Sequence, residues 1–76
     1  MIIETRIDVY LDSATGGSIK VGSFKTDLVS RDNTTKDDFD AVVAKVDKKY
    51  GKDGWDSIQF WSIEEAMFEV IGKKIE

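Results

Sequence analysis

The chemistry open to this chain is narrow, because its 76 residues include no histidine and no cysteine. The commonest general base, the commonest neutral metal ligand and the thiolate nucleophile are therefore all missing. Carboxylates, lysine, tyrosine, serine and threonine remain as the reactive side chains. We predict no catalytic residue, no metal site and no cofactor, and we predict that the protein is not an enzyme.

The acidic and basic residues that could form a site have simpler structural explanations. Glu65 and Glu69 have the i,i+4 spacing of a solvated helix face, and adjacent helix residues such as Glu64 and Glu65 point apart. A second set of charged residues has the spacing of a helix surface rather than of a phosphate site: Lys45, Lys48 and Lys49.

Two polar loops also resemble ligand-binding loops only in part. Gly16-Gly17 is not followed by the Lys-Ser/Thr pair and helix that a phosphate-binding loop requires. The segment from Ser30 to Thr34 lacks the spacing and central glycine of an EF-hand loop. We interpret the first as a hairpin loop and the second as a solvated connection.

The charge is acidic overall and unevenly distributed. Fifteen acids against eleven bases give a net charge of −4, which argues against nucleic acid or an anionic membrane as the main partner. A group of aspartates forms an alternative acidic surface of the kind a DNA mimic uses: Asp27, Asp32, Asp37, Asp38 and Asp40. Carboxylates at the start of a helix also offset the helix dipole, which is the simpler explanation for part of this group.

Composition indicates one small α+β domain over residues 1–76. With 41% apolar and 34% charged residues, the chain can form a core. It has no charged-then-apolar leader and no apolar run of about 18 residues, so we expect a soluble, cytoplasmic protein without a membrane partner.

The elements that must position any site follow from the hydrophobic pattern. Ile2 to Leu11 alternates with period two, which predicts a strand. Ser18 to Val29 predicts a second strand, with a bulge near Gly22-Ser23 that would turn four apolar residues towards the core. These residues are Ile19, Val21, Phe24 and Leu28. Thr35 and Gly51 have the residue types that begin and end a helix between them.

The C-terminal segment is open to two interpretations. Ser57 to Trp61 predicts a third strand, and Ser62 with Glu65 has the capping-box spacing that predicts a helix over residues 63–71. The alternative is a fourth strand with Ala66, Phe68 and Val70 on one face. We expect the helix, which gives the order β-β-α-β-α and a three-stranded antiparallel sheet of order 2-1-3 with two helices.

The aromatic residues of the sheet carry the functional hypothesis. We predict that Tyr10, Trp55, Gln59 and Trp61 project away from the first helix and form a protein-binding patch. Two alternatives stay open: the second helix buries Trp61, or two copies bury the patch as a homodimer.

We therefore expect a non-enzymatic protein-interaction module, such as a small phage- or mobile-element-type inhibitor or modulator of a larger protein. The alternatives are a nucleic-acid-binding or DNA-mimicking acidic protein, and a structural subunit of a larger assembly.

Overall fold

The computed structural model describes residues 2–72 and shows four strands and one helix in the order β-β-α-β-β. The elements are β1 (Ile2–Asp12), β2 (Ser18–Val29), α1 (Lys36–Tyr50), β3 (Ser57–Ser62) and β4 (Met67–Gly72), with one turn of 3-10 helix at Arg31–Asn33 before α1. The strands form one antiparallel sheet of order β2-β1-β3-β4. The α+β class and the 2-1-3 order within it are confirmed.

Helix α1 begins and ends where the sequence predicts. The side chain of Thr35 accepts from the backbone N–H of Asp38, and the Asp38 carboxylate accepts from the backbone N–H of Thr35. This reciprocal pair satisfies two amides that the helix itself cannot bond. Gly51 ends the helix with φ 82°, a conformation that other residues adopt at a cost.

The core lies between α1 and one face of the sheet. Val42 and Val46 of the helix pack on the central strands, and the Phe39 ring meets the Phe60 ring edge-on with centroids 4.8 Å apart. The fully buried apolar residues of β1 and β3 face each other in register, Ile7 with Phe60 and Val9 with Ile58. Each such side chain contributes about 1.5–3 kcal/mol when it leaves water.

The predicted bulge is present, but it does not bring all four apolar residues of β2 to the core. Val9 pairs with Gly22 and Tyr10 with Lys20, so Val21 is the additional residue. Leu28 is buried and Phe24 half-buried, whereas Ile19 and Val21 are exposed. The last residue of the helix, Tyr50, packs over Gly22, in the space that a Cβ there would occupy.

The prediction of a second helix is wrong, and the alternative of a fourth strand is confirmed. Ser62 and Glu65 form a hairpin turn instead of a capping box: Glu65 N donates to Ser62 O at 2.8 Å, and Ser62 N donates to Ala66 O at 3.0 Å. Strand pairing with β3 lets Phe68 and Ile71 pack against the core. This tertiary gain overrides the helix propensity of Glu64 to Met67.

The turn contains the one strained backbone position of residues 2–72 outside glycine, Glu65 with φ 65°. We expect Glu65→Gly to be about 1 kcal/mol more stable than Glu65→Ala, because glycine adopts this conformation without a Cβ clash. Urea unfolding of both variants measures the difference. At Glu64, where φ is not positive, the order should reverse, since glycine then only adds entropy to the unfolded chain. Equal stability of the two variants at position 65 would contradict this account of the turn.

Candidate functional site

The sheet face opposite α1 is covered by no other element among residues 2–72, and we call it the open face. Its members alternate along each strand with the core residues, and the cross-strand register sets them in rows. They are Glu4, Arg6, Asp8, Tyr10, Lys20, Ser23, Lys25, Asp27, Ser57, Gln59, Trp61, Met67 and Val70.

The open face has a charged half and an apolar half. Its β1 and β2 positions carry the acids and bases, and its β3 and β4 positions carry Gln59, Trp61, Met67 and Val70. Met67 is 49% exposed and Val70 48% exposed, and Ile63 is exposed in the turn beside them. An apolar surface that borders a charged one is typical of a protein contact site.

Asp8 lies on the open face, yet it is only 2% exposed, because two cationic side chains cover it. Arg6 Nη2 donates to Asp8 Oδ2 at 3.1 Å, and Arg6 Nε lies 3.0 Å from Asp8 Oδ1 without pointing at it. Lys20 Nζ lies 3.5 Å from the same Oδ1. A carboxylate removed from water to this extent is stable only while such partners remain.

Arg6 also joins the charged half of the open face to Trp61. The guanidinium carbon lies 5.4 Å from the Trp61 ring centroid, and Glu65 of the β3–β4 turn forms an ion pair with the same guanidinium. Arg6 is therefore held by Asp8 and Glu65 while it stacks on the indole, a favourable cation–π arrangement. Trp61 Nε1 is shielded from solvent and meets no hydrogen-bond acceptor among residues 2–72.

A small depression borders this cluster on the open face. Its volume is about 100 Å³, and it is lined by Glu4, Arg6, Lys25, Ser62, Ile63 and Glu65. It is too small for a drug-sized ligand, because such pockets usually measure about 300 Å³ or more. The depression is therefore a shallow feature of the open face and not a cavity of ligand size.

The structure places Tyr10, Gln59 and Trp61 on the open face but does not bring the two rings together. Tyr10 pairs with Ser57 and Trp61 with Arg6, so the two rings lie four residue steps apart along β1, about 13 Å. The expected contiguous Tyr10–Trp61 patch is wrong in this respect. The register between β1 and β3, which the sequence does not reveal, causes this separation of the two rings.

Trp55 is not part of the open face, and its predicted position there is wrong. It is 1% exposed within the core cluster, and its Nε1 donates to Asp47 of α1 at 2.7 Å. A buried indole needs such an acceptor, and the helix supplies it. Trp55 therefore fixes the C-terminal half of α1 to the sheet.

The five aspartates of the alternative acidic surface are divided among different elements. Asp27 lies on β2 opposite Glu4, and Asp32 lies in the 3-10 turn. Asp38 caps α1, and Asp40 forms an i,i+4 ion pair with Lys36 at 2.7 Å. Asp37 belongs to the first turn of α1, so the helix uses much of this charge for its own N-terminus.

Residues 2–72 hold neither a metal-binding set of acids nor a helix that could cross a membrane. No set of three or more acids within residues 2–72 has a metal-binding arrangement. Lys45 Nζ and Lys49 Nζ lie 4.9 and 5.9 Å from the centroid of the Phe24 ring on edge strand β2. The aliphatic parts of such lysine side chains can cover an apolar ring while the ammonium groups stay in water. None of the helical segments in this same range is long and apolar enough to cross a membrane.

Three residues of the site were missed by sequence reasoning: Arg6, Met67 and Val70. The alternation of β1 already places Arg6 on the same face as Tyr10, so its position was accessible. Met67 and Val70 were assigned to a helix that does not form.

Comparisons with known protein families, with curated proteins and with solved structures find no match for this chain.

The Arg6–Asp8 contact predicts a stability loss that distinguishes it from an exposed ion pair. We expect Asp8→Asn to lower the free energy of unfolding by about 2 kcal/mol, because it leaves Arg6 and Lys20 without their shared carboxylate. The matched control is Asp40→Asn, whose exposed pair with Lys36 should contribute about 0.5 kcal/mol or less. Urea unfolding measures both. If Asp8→Asn costs no more than Asp40→Asn, the Asp8 cluster does not stabilise the fold.

Proposed function

We propose that the protein is a non-enzymatic interaction module that binds a larger protein through the apolar half of its open face. The observation that carries this proposal is Trp61, a half-buried indole on a sheet face that no other element within residues 2–72 covers. Tryptophan, arginine, tyrosine and methionine are the residue types enriched at protein interfaces. All four types occur on this face.

The cluster around Trp61 supports tight binding because it is ordered before a partner arrives. Asp8 and Glu65 hold the Arg6 guanidinium, and the guanidinium lies over the indole. Side chains that are already immobilised lose less conformational entropy on association, a loss of about 0.5–1.5 kcal/mol for each flexible side chain. Trp61 and Arg6 are thus suited to act as the anchor of an interface.

The charges of the open face favour a protein over a nucleic acid. The bases Arg6, Lys20 and Lys25 share the face with Glu4, Asp8 and Asp27, so no positive field extends from it. Arg6 and Lys20 are also engaged by Asp8. A nucleic-acid interface depends on free cations that neutralise phosphates.

In this proposal the biological role is that of a small inhibitor or modulator, since a compact chain with one contact face acts by occupying a surface of its target. The two other roles predicted from the sequence, a structural subunit and a nucleic-acid-binding or DNA-mimicking protein, are outcomes of the same tests. A homodimer that buries two open faces against each other is also such an outcome.

The proposal predicts a localised loss of binding. The wild-type protein, immobilised and incubated with lysate of its source cells, should retain a protein that mass spectrometry identifies. Against that purified partner we expect Trp61→Ala to lower affinity by at least about 30-fold, the effect of an anchor worth about 2 kcal/mol. Met67→Ala should lower it to a smaller extent, and it tests the same patch at a half-exposed position whose loss does not endanger the fold.

The matched control is Ile19→Ala, an exposed apolar residue at the far edge of the sheet, 58% exposed against 49% for Met67, which should leave affinity unchanged. Circular dichroism and urea unfolding establish that each variant is folded. Affinity that falls about tenfold or more between low salt and 200 mM salt would favour the electrostatic alternatives. Binding that is unchanged in both Trp61→Ala and Met67→Ala would contradict the proposal.

A further inference from the structure

The sheet ends in two edge strands, β2 and β4, and the two edges are built differently. β2 has Lys20, Lys25 and Asp27 along its length and a bulge at Val21, all of which discourage another strand from pairing. β4 has one charged residue, Glu69, and neither lysine nor proline. Its bulge, at Phe68, lies near its beginning and leaves Glu69 to Gly72 in regular register with β3.

The backbone of β4 also shows a hydrogen-bond donor that the sheet does not use. The N–H of Val70 donates to Oε1 of its own neighbour Glu69, at 3.2 Å, instead of to a strand. This amide therefore faces away from β3, at the free edge. A side-chain acceptor at such a position is readily exchanged for the carbonyl of an added strand.

We propose that the strand added there is β4 of a second copy, antiparallel and centred on Val70. The two four-stranded sheets then form one continuous eight-stranded sheet. A two-fold axis perpendicular to the sheet is required, and it keeps both open faces on one side and both helices on the other. The pairing leaves Trp61 of each copy accessible.

A register centred on Val70 is compatible with both the faces and the charges. Centring on Val70 sets this half-exposed side chain against itself on the open face, and it sets Glu69 opposite Ile71 of the second copy. A shift that centres on Glu69 opposes two like charges, which is destabilising. A centre between Glu69 and Val70 pairs residues of opposite faces, which the pleat forbids.

The charge pattern of the segment favours a second copy as the occupant. Glu64 and Glu65 precede β4, and Lys73 and Lys74 follow Gly72 in the sequence. The segment thus carries opposite formal charges at its two ends, and antiparallel order is the one that sets opposite ends side by side. Parallel order would set the acidic turns together.

Sedimentation equilibrium of the wild-type protein from about 1 μM to about 1 mM tests this proposal, a range that covers the weak affinity expected for a short strand pair. We expect a monomer–dimer equilibrium. Val70→Lys should weaken it at least about 30-fold by placing two ammonium groups at the axis. The matched control, Val29→Lys, changes a valine of similar exposure on β2, 39% against 48%, and should leave the dimer intact.

Hydrogen exchange supplies a readout that needs no variant. Exchange of the Val70 amide should slow as concentration rises, while edge amides of β2 should not change. A wild-type protein that is monomeric at about 1 mM overturns the proposal. So does a dimer that survives Val70→Lys and is lost in Trp61→Ala, since that result assigns the dimer to the open faces.

The proposed partner binding at Trp61 and the proposed pairing of β4 strands can each be refuted without the other. Val70 itself belongs to the open face, so this comparison uses the wild-type protein. At about 1 μM, where we expect a monomer, it should still capture the proposed partner through Trp61. Capture without dimerisation would contradict only the edge pairing, and dimerisation without capture would contradict only the proposed function.

Discussion

The ring of Phe60 is the point at which the helix and the C-terminal hairpin meet. It contacts the Phe39 ring of α1 at 4.8 Å between centroids and the Phe68 ring of β4 at 6.0 Å, and it is itself fully buried. Aromatic contacts of this kind add about 0.5–1.5 kcal/mol to the burial of each ring. The hairpin places Phe68 on the helix side of the sheet, and in doing so it leaves Trp61 and Met67 on the other side.

Within residues 2–72, the open face is stabilised by charge rather than by a second layer of structure. The half-buried guanidinium of Arg6 covers both the Asp8 carboxylate and the Trp61 indole. It therefore shields part of the open face from water, as helix α1 shields the opposite face. One guanidinium shields only the groups directly beneath it. It protects Asp8 from water while the surface of Met67 and Val70 stays accessible. The same residues thus stabilise the face and leave part of its apolar surface exposed.

Local signals predicted much of the fold. The caps of α1, the alternation of β1 and the bounds of β2 depend on residues close in sequence, and the structure reproduces them. The segment after Ser62 was mispredicted because Ser62 and Glu65 fit both a capping box and a tight turn. Which one forms depends on β3 being held in the sheet by β1, a contact distant in sequence, so that β3 offers an edge for β4 to pair with.

The alternation of side chains along each strand was the only sequence signal that predicted the site. Parity places Tyr10, Gln59 and Trp61 on one face, but the register between strands decides which side chains touch, and register is set by the whole core. Trp55 follows Gly54 outside any periodic segment, so no pattern indicated that its indole would reach Asp47. Its burial is a property of the assembled helix and sheet.

The two tryptophans, the only ones in the chain, occupy different environments. Trp55 is enclosed and bonded to a helix carboxylate, whereas Trp61 lies half-buried beneath a guanidinium on the open face. The molecule therefore carries two intrinsic fluorophores that report on different parts of the structure. Emission from Trp55 follows the integrity of the helix–sheet packing, and emission from Trp61 follows events at the surface. When either tryptophan is replaced by phenylalanine, the tryptophan that remains is the only one that emits, and its fluorescence reports on its own environment without an attached dye.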